Sequence, residues 1–224
     1  MTASRPRARQ AQQQKIGETL RRLNERLVAD HVDDDSLQRL ALLLEKAEPL
    51  VLGHPPRRRE VRADQDSAYD YGSQQNLFTP VSGALNAVAP KVRYFREGET
   101  AVAEVFYSAA FEGGPGLVHG GFTAALFDEL FGIVQAPKST PSMTGKLQVQ
   151  YRKPVPLKQP LRFEGWCESH KGRKSVLKGR LMLAGTQVIL AEAEALFIDV
   201  DHALYQDFSR QRNAQLNAEL SAEQ

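Results

Sequence analysis

Residues 85–200 alternate between apolar and polar positions in a way that predicts a β-rich domain. The runs 88–95 and 100–110 flank a turn-like break at residues 97–99, which predicts a β-hairpin. Four further strand-like runs, separated by Pro and Gly, follow residue 140. They lie at residues 147–152, 161–166, 175–184 and 187–200.

Between the hairpin and these four runs, residues 119–135 form a segment that is apolar on nearly every side. A helix of this kind must be buried, because none of its faces suits water. The simplest way to bury it is to wrap an antiparallel sheet around it. We therefore expect an α+β domain over residues 76–200, with the order β-β-α-β-β-β-β.

The segments outside this domain are helical or polar. Residues 1–15 are basic and rich in Gln, and they predict a disordered tail. Residues 16–75 predict a helical extension and a linker. Apolar spacing indicates a first helix at 16–29, and the run Asp33–Ser36 can cap a second helix. Residues 201–224 predict a peripheral C-terminal helix and tail.

The composition is that of an ordinary globular protein, with 42% hydrophobic and 25% charged residues. The net charge of +2 is too balanced to indicate nucleic acid or an acidic membrane surface as a partner. The longest apolar stretch, residues 122–134, is too short to span a membrane. The single cysteine, Cys167, is expected to be buried in a strand. One reduced cysteine favours a cytoplasmic location, and the acid-free residues 1–17 leave import into an organelle open.

The sequence His119–Gly120–Gly121 stands where the apolar helix begins. Two glycines at a helix start let a ligand approach the backbone closely. The N–H groups of a first turn have no partner within the helix, and they carry the positive end of its dipole. Such a site can stabilise a developing oxyanion. The alternative is a tight loop-to-helix turn without a ligand.

Two adjacent carboxylates, Asp128 and Glu129, lie in the middle of this apolar helix. Burying an unpaired carboxylate is costly, so each requires a partner or a function. Apolar surroundings also raise the pKa of a carboxyl group towards the range useful for a general base. The alternative is an ion pair with a Lys or Arg on a strand, which we favour for Glu129 but not for Asp128.

Gly120 and Asp128 are eight residues apart, which is about 12 Å along one helix. A single carbonyl group cannot contact both at reacting distances of about 3–3.5 Å. If both residues act on the same carbonyl, they belong to different copies of the chain. The spacing therefore predicts a homodimer with two shared sites.

These motifs occur in one specific arrangement. The loop 112–117 precedes His119–Gly121, Asp128 follows His119 by nine residues, and the run 144–157 reads TGKLQVQYRKPVPL. Over about residues 76–200 the chain closely resembles the hotdog-fold acyl-CoA thioesterases of the phenylacetate-associated and human thioesterase-superfamily type. The resemblance implies a hotdog fold and hydrolysis of a fatty or aromatic acyl-CoA without a metal or cofactor. It also implies a homodimer that joins its sheets edge to edge and can pair into a dimer of dimers.

The resemblance implies roles for four residues by their position. Asp128 would be the general base or the nucleophile. The Gly120 N–H of the other subunit would polarise the thioester carbonyl. His119 would orient the loop, and Thr144 would place a hydroxyl near the nucleophilic water.

One position departs from the family pattern. Some relatives carry an Asn six residues before the motif histidine, where it helps to hold the water, and this chain has Gly113 there. Glu129, Thr144 or a residue of the partner subunit would then hold the water. We expect Gly113, Gly121 and Glu129 to line the substrate-binding site.

A basic turn near the end of the domain is a further candidate site. Lys171, Arg173 and Lys174 are suited to the phosphates of CoA, and the alternative is a solvated hairpin tip. The histidines outside the motif have no metal-ligand spacing, so no metal site is expected.

Two other functions are known for hotdog domains. One is a non-catalytic acyl-CoA-binding regulator, which the two N-terminal helices suggest. The acidic turn at residues 31–35 and the lack of a basic helix face argue against its DNA-binding unit. The other is a hydratase, which pairs the Asp with a His five residues later, where this chain has Ile133. The N-terminal helices are also candidates for a lid over the acyl tunnel or for packing across the dimer.

Overall fold

The computed structural model describes residues 4–54, 76–138 and 140–222, and most of the predicted linker lies outside these ranges. The helices are α1 (Ser4–Ala29), α2 (Asp34–Ala47), α3 (Gly120–Gln135) and α4 (His202–Ala222). The strands are β1 (Lys91–Glu97), β2 (Thr100–Phe106), β3 (Ser142–Tyr151), β4 (Pro160–Lys171), β5 (Lys174–Leu183) and β6 (Ile189–Asp199).

The six strands form one antiparallel sheet in the order β1-β2-β4-β5-β6-β3. Helix α3 packs against five of them, β2 to β6. The sheet therefore surrounds the apolar helix as predicted, and the α+β hotdog fold is confirmed.

Helix α3 packs against one face of this sheet, and the two together form the core. Leu126, Phe127, Leu130 and Phe131 are completely buried, and the ring of Phe127 packs edge-on against Phe163 from β4 at a centroid distance of 4.9 Å. Burying side chains of this size contributes roughly 1.5–3 kcal/mol each. This packing fixes α3 against the sheet and thereby positions the residues at its start and middle.

The first helix begins earlier than the apolar spacing predicts. The spacing indicates a helix only from Ile16, with a disordered tail before it, whereas α1 begins at Ser4. Residues 8–15 consist mainly of Ala, Arg, Gln and Lys, which favour helices without any apolar face. Hydrophobic periodicity therefore missed this part of the helix.

The prediction that Cys167 is buried is wrong, because its side chain is exposed. Leu161, Phe163 and Gly165 on the predicted inner face of β4 are buried, and this burial ends at Cys167. A bulge between Cys167 and Ser169 shifts the register there, and a bulge bends the strand away from regular pairing.

Strand β3 is less buried than its alternating pattern predicts. Leu147 and Val149 are half-buried, and Tyr151 is 49% exposed. The reason is that β3 is an edge strand, which pairs only with β6.

The two N-terminal helices differ in how they contact the domain. Arg21 of α1 donates to Asn86 O at 2.8 Å and so attaches α1 to the segment before β1. Helix α2 has no buried residue, and it exposes Leu37, Leu42, Leu43 and Leu44. In the described ranges, no helix combines the length and the hydropathy required to cross a bilayer.

Candidate active site

The N-terminus of α3 is held by the side chain that precedes it. His119 caps the helix, and its Nδ1 accepts a hydrogen bond from Gly121 N–H at 3.0 Å. The N–H of His119 donates to Phe111 O at 2.9 Å, and Phe122 N–H donates to His119 O at 3.0 Å. An accepting Nδ1 carries no proton, so the neutral ring has its proton on Nε2. His119 therefore orients the loop by capping the helix.

Tyr151, at the end of β3, is the second side chain at this helix start. Its hydroxyl donates to Gly120 O at 2.6 Å. Partial burial raises the pKa of Tyr151, so the phenol keeps the proton that it donates. A Cβ at position 120 would lie only 3.1 Å from Tyr151 Oη, which explains why a glycine stands there. Sequence reasoning assigns Tyr151 only to a strand, because the contact depends on how β3 packs against α3.

These contacts leave one amide of the first turn open. The N–H of Gly121, which the sequence suggests as part of the substrate site, donates to His119 instead. The N–H of Gly120 belongs to the first helical residue and has no acceptor within the helix. Gly120 is therefore the glycine whose N–H is available to a ligand, and the α3 dipole adds positive potential there.

Asp128 and Thr144 meet between α3 and β3. Thr144 Oγ1 donates to Asp128 Oδ1 at 2.7 Å, and Asp128 is half-buried. A bulge between Thr144 and Lys146 interrupts the pairing of β3 at this point, and bulges re-aim side chains. None of the ion pairs between described residues involves Asp128. The carboxylate is thus oriented by a hydroxyl without being neutralised by a cation.

Glu129 points into a group of hydroxyls. Thr79 Oγ1 donates to Glu129 Oε1 at 3.3 Å, Tyr94 OH donates to it at 3.2 Å, and Ser82 Oγ also donates to it. Burial raises the pKa of Glu129, and the three hydroxyl donors partly oppose this shift. The ion pair favoured for Glu129 is therefore not what the structure shows. Glu129 fastens the segment before β1 to α3.

Gly113 packs against the backbone of the motif histidine. A Cβ at position 113 would lie 2.7 Å from His119 Cα, and the Gly113 N–H donates to Leu117 O at 2.9 Å. An Asn at this position would clash in this loop conformation. The structure therefore gives Gly113 a packing role in the loop that ends at His119.

The candidate catalytic residues lie on an open face of the single chain. His119, Thr144 and Tyr151 are exposed. A cleft of about 280 Å³ lies between α1 and the sheet, at residues such as Lys91 and Phe106, and none of the candidate catalytic residues lines it. The cleft and the candidate catalytic residues therefore lie at different places on the described part of the chain.

Comparison with known proteins shows what this domain is similar to. The sequence profile of the thioesterase superfamily matches residues 115–189. A crystal structure of a thioesterase superfamily protein is also similar, with a TM-score of 0.70 and 27% identity. The alignment covers 83% of this chain and 94% of that chain, and it confirms the family resemblance seen in the motifs.

Two proteins similar to this chain are named acyl-coenzyme A thioesterases. THEM4 of Mus musculus is 30% identical over 122 residues, which cover 49% of this chain and 53% of the relative. THEM4 of Xenopus laevis is 28% identical over 106 residues, which cover 47% and 48%. The chain spans about half the length of the curated relatives it matches.

The basic turn predicted from the sequence is the β4–β5 hairpin. Arg173 donates from Nε and Nη2 to Asp199 O at 3.0 and 2.9 Å, so its guanidinium is engaged with the backbone. Lys171 and Lys174 are exposed on either side of Gly172, which has a φ of 59°. Of the three basic residues predicted for this site, the two lysines, Lys171 and Lys174, are therefore available to a ligand.

Beside this hairpin the structure adds a cation that sequence reasoning missed. Lys138 Nζ donates to Ser175 Oγ at 2.6 Å and lies 3.0 Å from His170 Nδ1. Ser175 is fully buried and, like Thr144, pairs with Phe197 of β6. The cluster therefore lies two strands from Thr144, about 10 Å at the spacing of neighbouring strands. Lys138 follows the helix in a loop, and no local pattern indicates this contact.

Proposed function

We propose that this protein is an acyl-CoA thioesterase that hydrolyses a fatty or aromatic acyl-CoA to the free acid and CoA. The observation that carries the proposal is the Asp128 carboxylate, which Thr144 orients and which forms no ion pair with any described residue. The open Gly120 N–H supplies the complementary group, a preorganised donor for an oxyanion. The acyl-coenzyme A thioesterase relatives support the choice of substrate class.

Asp128 would act on the thioester carbonyl in one of two ways. As a general base, it takes a proton from a water molecule while the water oxygen bonds to the carbonyl carbon. As a nucleophile, its carboxylate bonds to that carbon, and water then hydrolyses the anhydride. In both cases the C–S bond breaks and CoA leaves as a thiolate, which takes up a proton. A thiolate leaves readily, so a polarised carbonyl and one carboxylate suffice.

The complete site would require two copies of the chain. Gly120 and Asp128 belong to the same unbroken helix, eight residues and about 12 Å apart. The amide that polarises the carbonyl would therefore come from a second copy. The exposure of His119 and Thr144 in the single chain supports an interface over this face. We propose a homodimer with two such sites, which can assemble further into a dimer of dimers.

The CoA phosphates would lie at the β4–β5 hairpin. Lys171 and Lys174 are exposed there, and Lys138 adds a third cation that takes part in no ion pair between described residues. Phosphate oxygens bind ammonium groups through charge-assisted hydrogen bonds. The distance of about 10 Å from Thr144 is within reach of the extended pantetheine arm.

The test is the release of free thiol from a panel of short, long and aromatic acyl-CoAs. We expect hydrolysis by the wild type and loss of most of it in Asp128→Asn, which keeps the shape of the side chain but not its charge. Equal rates for the two proteins would refute the mechanism. If the wild type binds acyl-CoA but releases no thiol from any member of the panel, the non-catalytic regulator is the better description.

A further inference from the structure

The turn that begins α3 has nearly all of its polar backbone groups engaged. The N–H of His119 donates to Phe111 O, and the C=O of His119 accepts from Phe122 N–H. In the next peptide unit, the C=O of Gly120 accepts from Tyr151 and the N–H of Gly121 donates to His119. Within the part of the chain that the structure describes, the Gly120 N–H is the group of this turn that remains open. It lies between two peptide units whose orientations are fixed.

We propose that Tyr151 is a positioning residue for the Gly120 N–H. Its hydrogen bond to Gly120 O fixes the peptide unit that follows Gly120, and this limits rotation of the preceding unit, which carries the N–H aimed at the thioester oxygen. This inference rests on the proposed thioesterase function. Tyr151 acts through the peptide that it holds and does not contact the reacting atoms. An oxyanion donor is effective only if its direction is set before the charge develops.

The location of Tyr151 suits this task. It ends β3, which pairs with β6 over nine registered positions, and Tyr151 itself pairs with Ala191. A donor on a paired strand is placed more accurately than one on a loop. The phenol ring also contacts the Gly120 backbone, with Cζ 3.3 Å from the position of a Cβ at residue 120. The glycine and the tyrosine are therefore fitted to each other.

Tyr151 is half-exposed, so its hydroxyl could bind water and does not need the Gly120 carbonyl to compensate for burial in the core. A purely structural hydroxyl would instead be buried and would support stability, as Tyr107 illustrates. Tyr107 is 1% exposed and donates to Phe122 O on the same helix at 3.3 Å. The two tyrosines thus form a matched pair, both donating to carbonyls in the first turn of α3.

The experiment compares Tyr151→Phe with Tyr107→Phe in the full-length protein. We expect Tyr151→Phe to lower kcat about tenfold, the effect of one lost hydrogen bond, with KM and Tm little changed. We expect Tyr107→Phe to keep kcat and lower Tm. A non-hydrolysable acyl-CoA thioether, which lacks the carbonyl, should bind wild type and Tyr151→Phe equally.

The outcomes separate this inference from the function on which it rests. Wild-type kcat in Tyr151→Phe, or a loss shared equally by Tyr107→Phe, would overturn the role of Tyr151 and leave the thioesterase intact. Weakened thioether binding in Tyr151→Phe would also overturn it, because the defect would then concern the whole pocket. A wild type that hydrolyses no acyl-CoA would refute the function itself, and the inference with it.

Discussion

Thr144 Oγ1 donates to Asp128 Oδ1 at 2.7 Å, so an edge strand and the central helix together orient one carboxylate. We expect Thr144→Val, which keeps the shape but removes the donor, to lower kcat about tenfold. Thr144→Ser should keep most of the activity, because it retains the hydroxyl. Steady-state thiol release measures both. Full activity in Thr144→Val would show that Asp128 does not depend on this bond.

A shared site predicts complementation between two inactive variants. Asp128→Asn removes the carboxylate. Gly120→Pro removes the N–H at the first helical position, where the proline backbone fits, although its Cβ also crowds the Tyr151 hydroxyl. Each variant alone should be nearly inactive. A mixed dimer contains one site with both wild-type groups, so random reassembly of equal amounts should restore about a quarter of the wild-type activity.

The assay for complementation is thiol release after the two variants are unfolded together and refolded. Mixing them without exchange of subunits is the control, and it should restore nothing. If co-refolding restores no activity although mixed dimers form, both groups belong to the same copy and the shared site is wrong.

Glu129 predicts a specific pH dependence of stability. Burial raises its pKa in the folded state. The contribution of Glu129 to the free energy of unfolding is therefore fully present below its pKa in the unfolded state. It is lost as the pH rises through its pKa in the folded state. The neutral variant Glu129→Gln lacks this dependence. Wild type should thus gain stability relative to Glu129→Gln as the pH falls from about 7 to about 4, the range around a carboxyl pKa.

Urea unfolding of both proteins across this pH range measures the difference. Because all other ionisable groups are common to the two proteins, their contributions cancel. A difference that is independent of pH, or one that grows as the pH rises, would contradict the raised pKa of Glu129.

The basic hairpin predicts that removing one of its cations raises KM for a substrate with nucleotide phosphates but not for one without them. Lys138→Met should raise KM for an acyl-CoA about fivefold, the magnitude of one partly exposed charge contact. It should leave KM for the matching acyl-pantetheine unchanged, because that substrate lacks the nucleotide phosphates. Lys178, which pairs with Glu168 at 3.1 Å elsewhere on the sheet, provides the control variant Lys178→Met. Equal effects on both substrates would exclude a phosphate contact at Lys138.

The sequence was sufficient for the elements that depend on local periodicity. The apolar segment around Leu126 and Phe131 can only be a buried helix, and it is one. The apolar helix pattern pointed to Asp128 and the family resemblance added Thr144, and the two residues lie in contact. The start of α1 was missed because its helix formers carry no apolar pattern.

The remaining details depend on tertiary packing and have no local signal. Tyr151 and Lys138 reach their partners from separate elements, at sequence distances of 31 and 37 residues. The partners of Glu129 are neutral hydroxyls, which no pattern of charges reveals. Cys167 is exposed because a bulge ends the alternation that predicted its burial.

Strand β3 carries two side chains that orient different groups of the proposed active sites. Thr144 at the start of β3 orients the carboxylate of its own chain. Tyr151 at the end of β3 holds the peptide unit next to the amide that the proposed dimer would supply to the opposite site. Any slip of this strand along β6 would thus disturb two reaction centres at once, and a change that strengthens or weakens the pairing of β3 would affect both together.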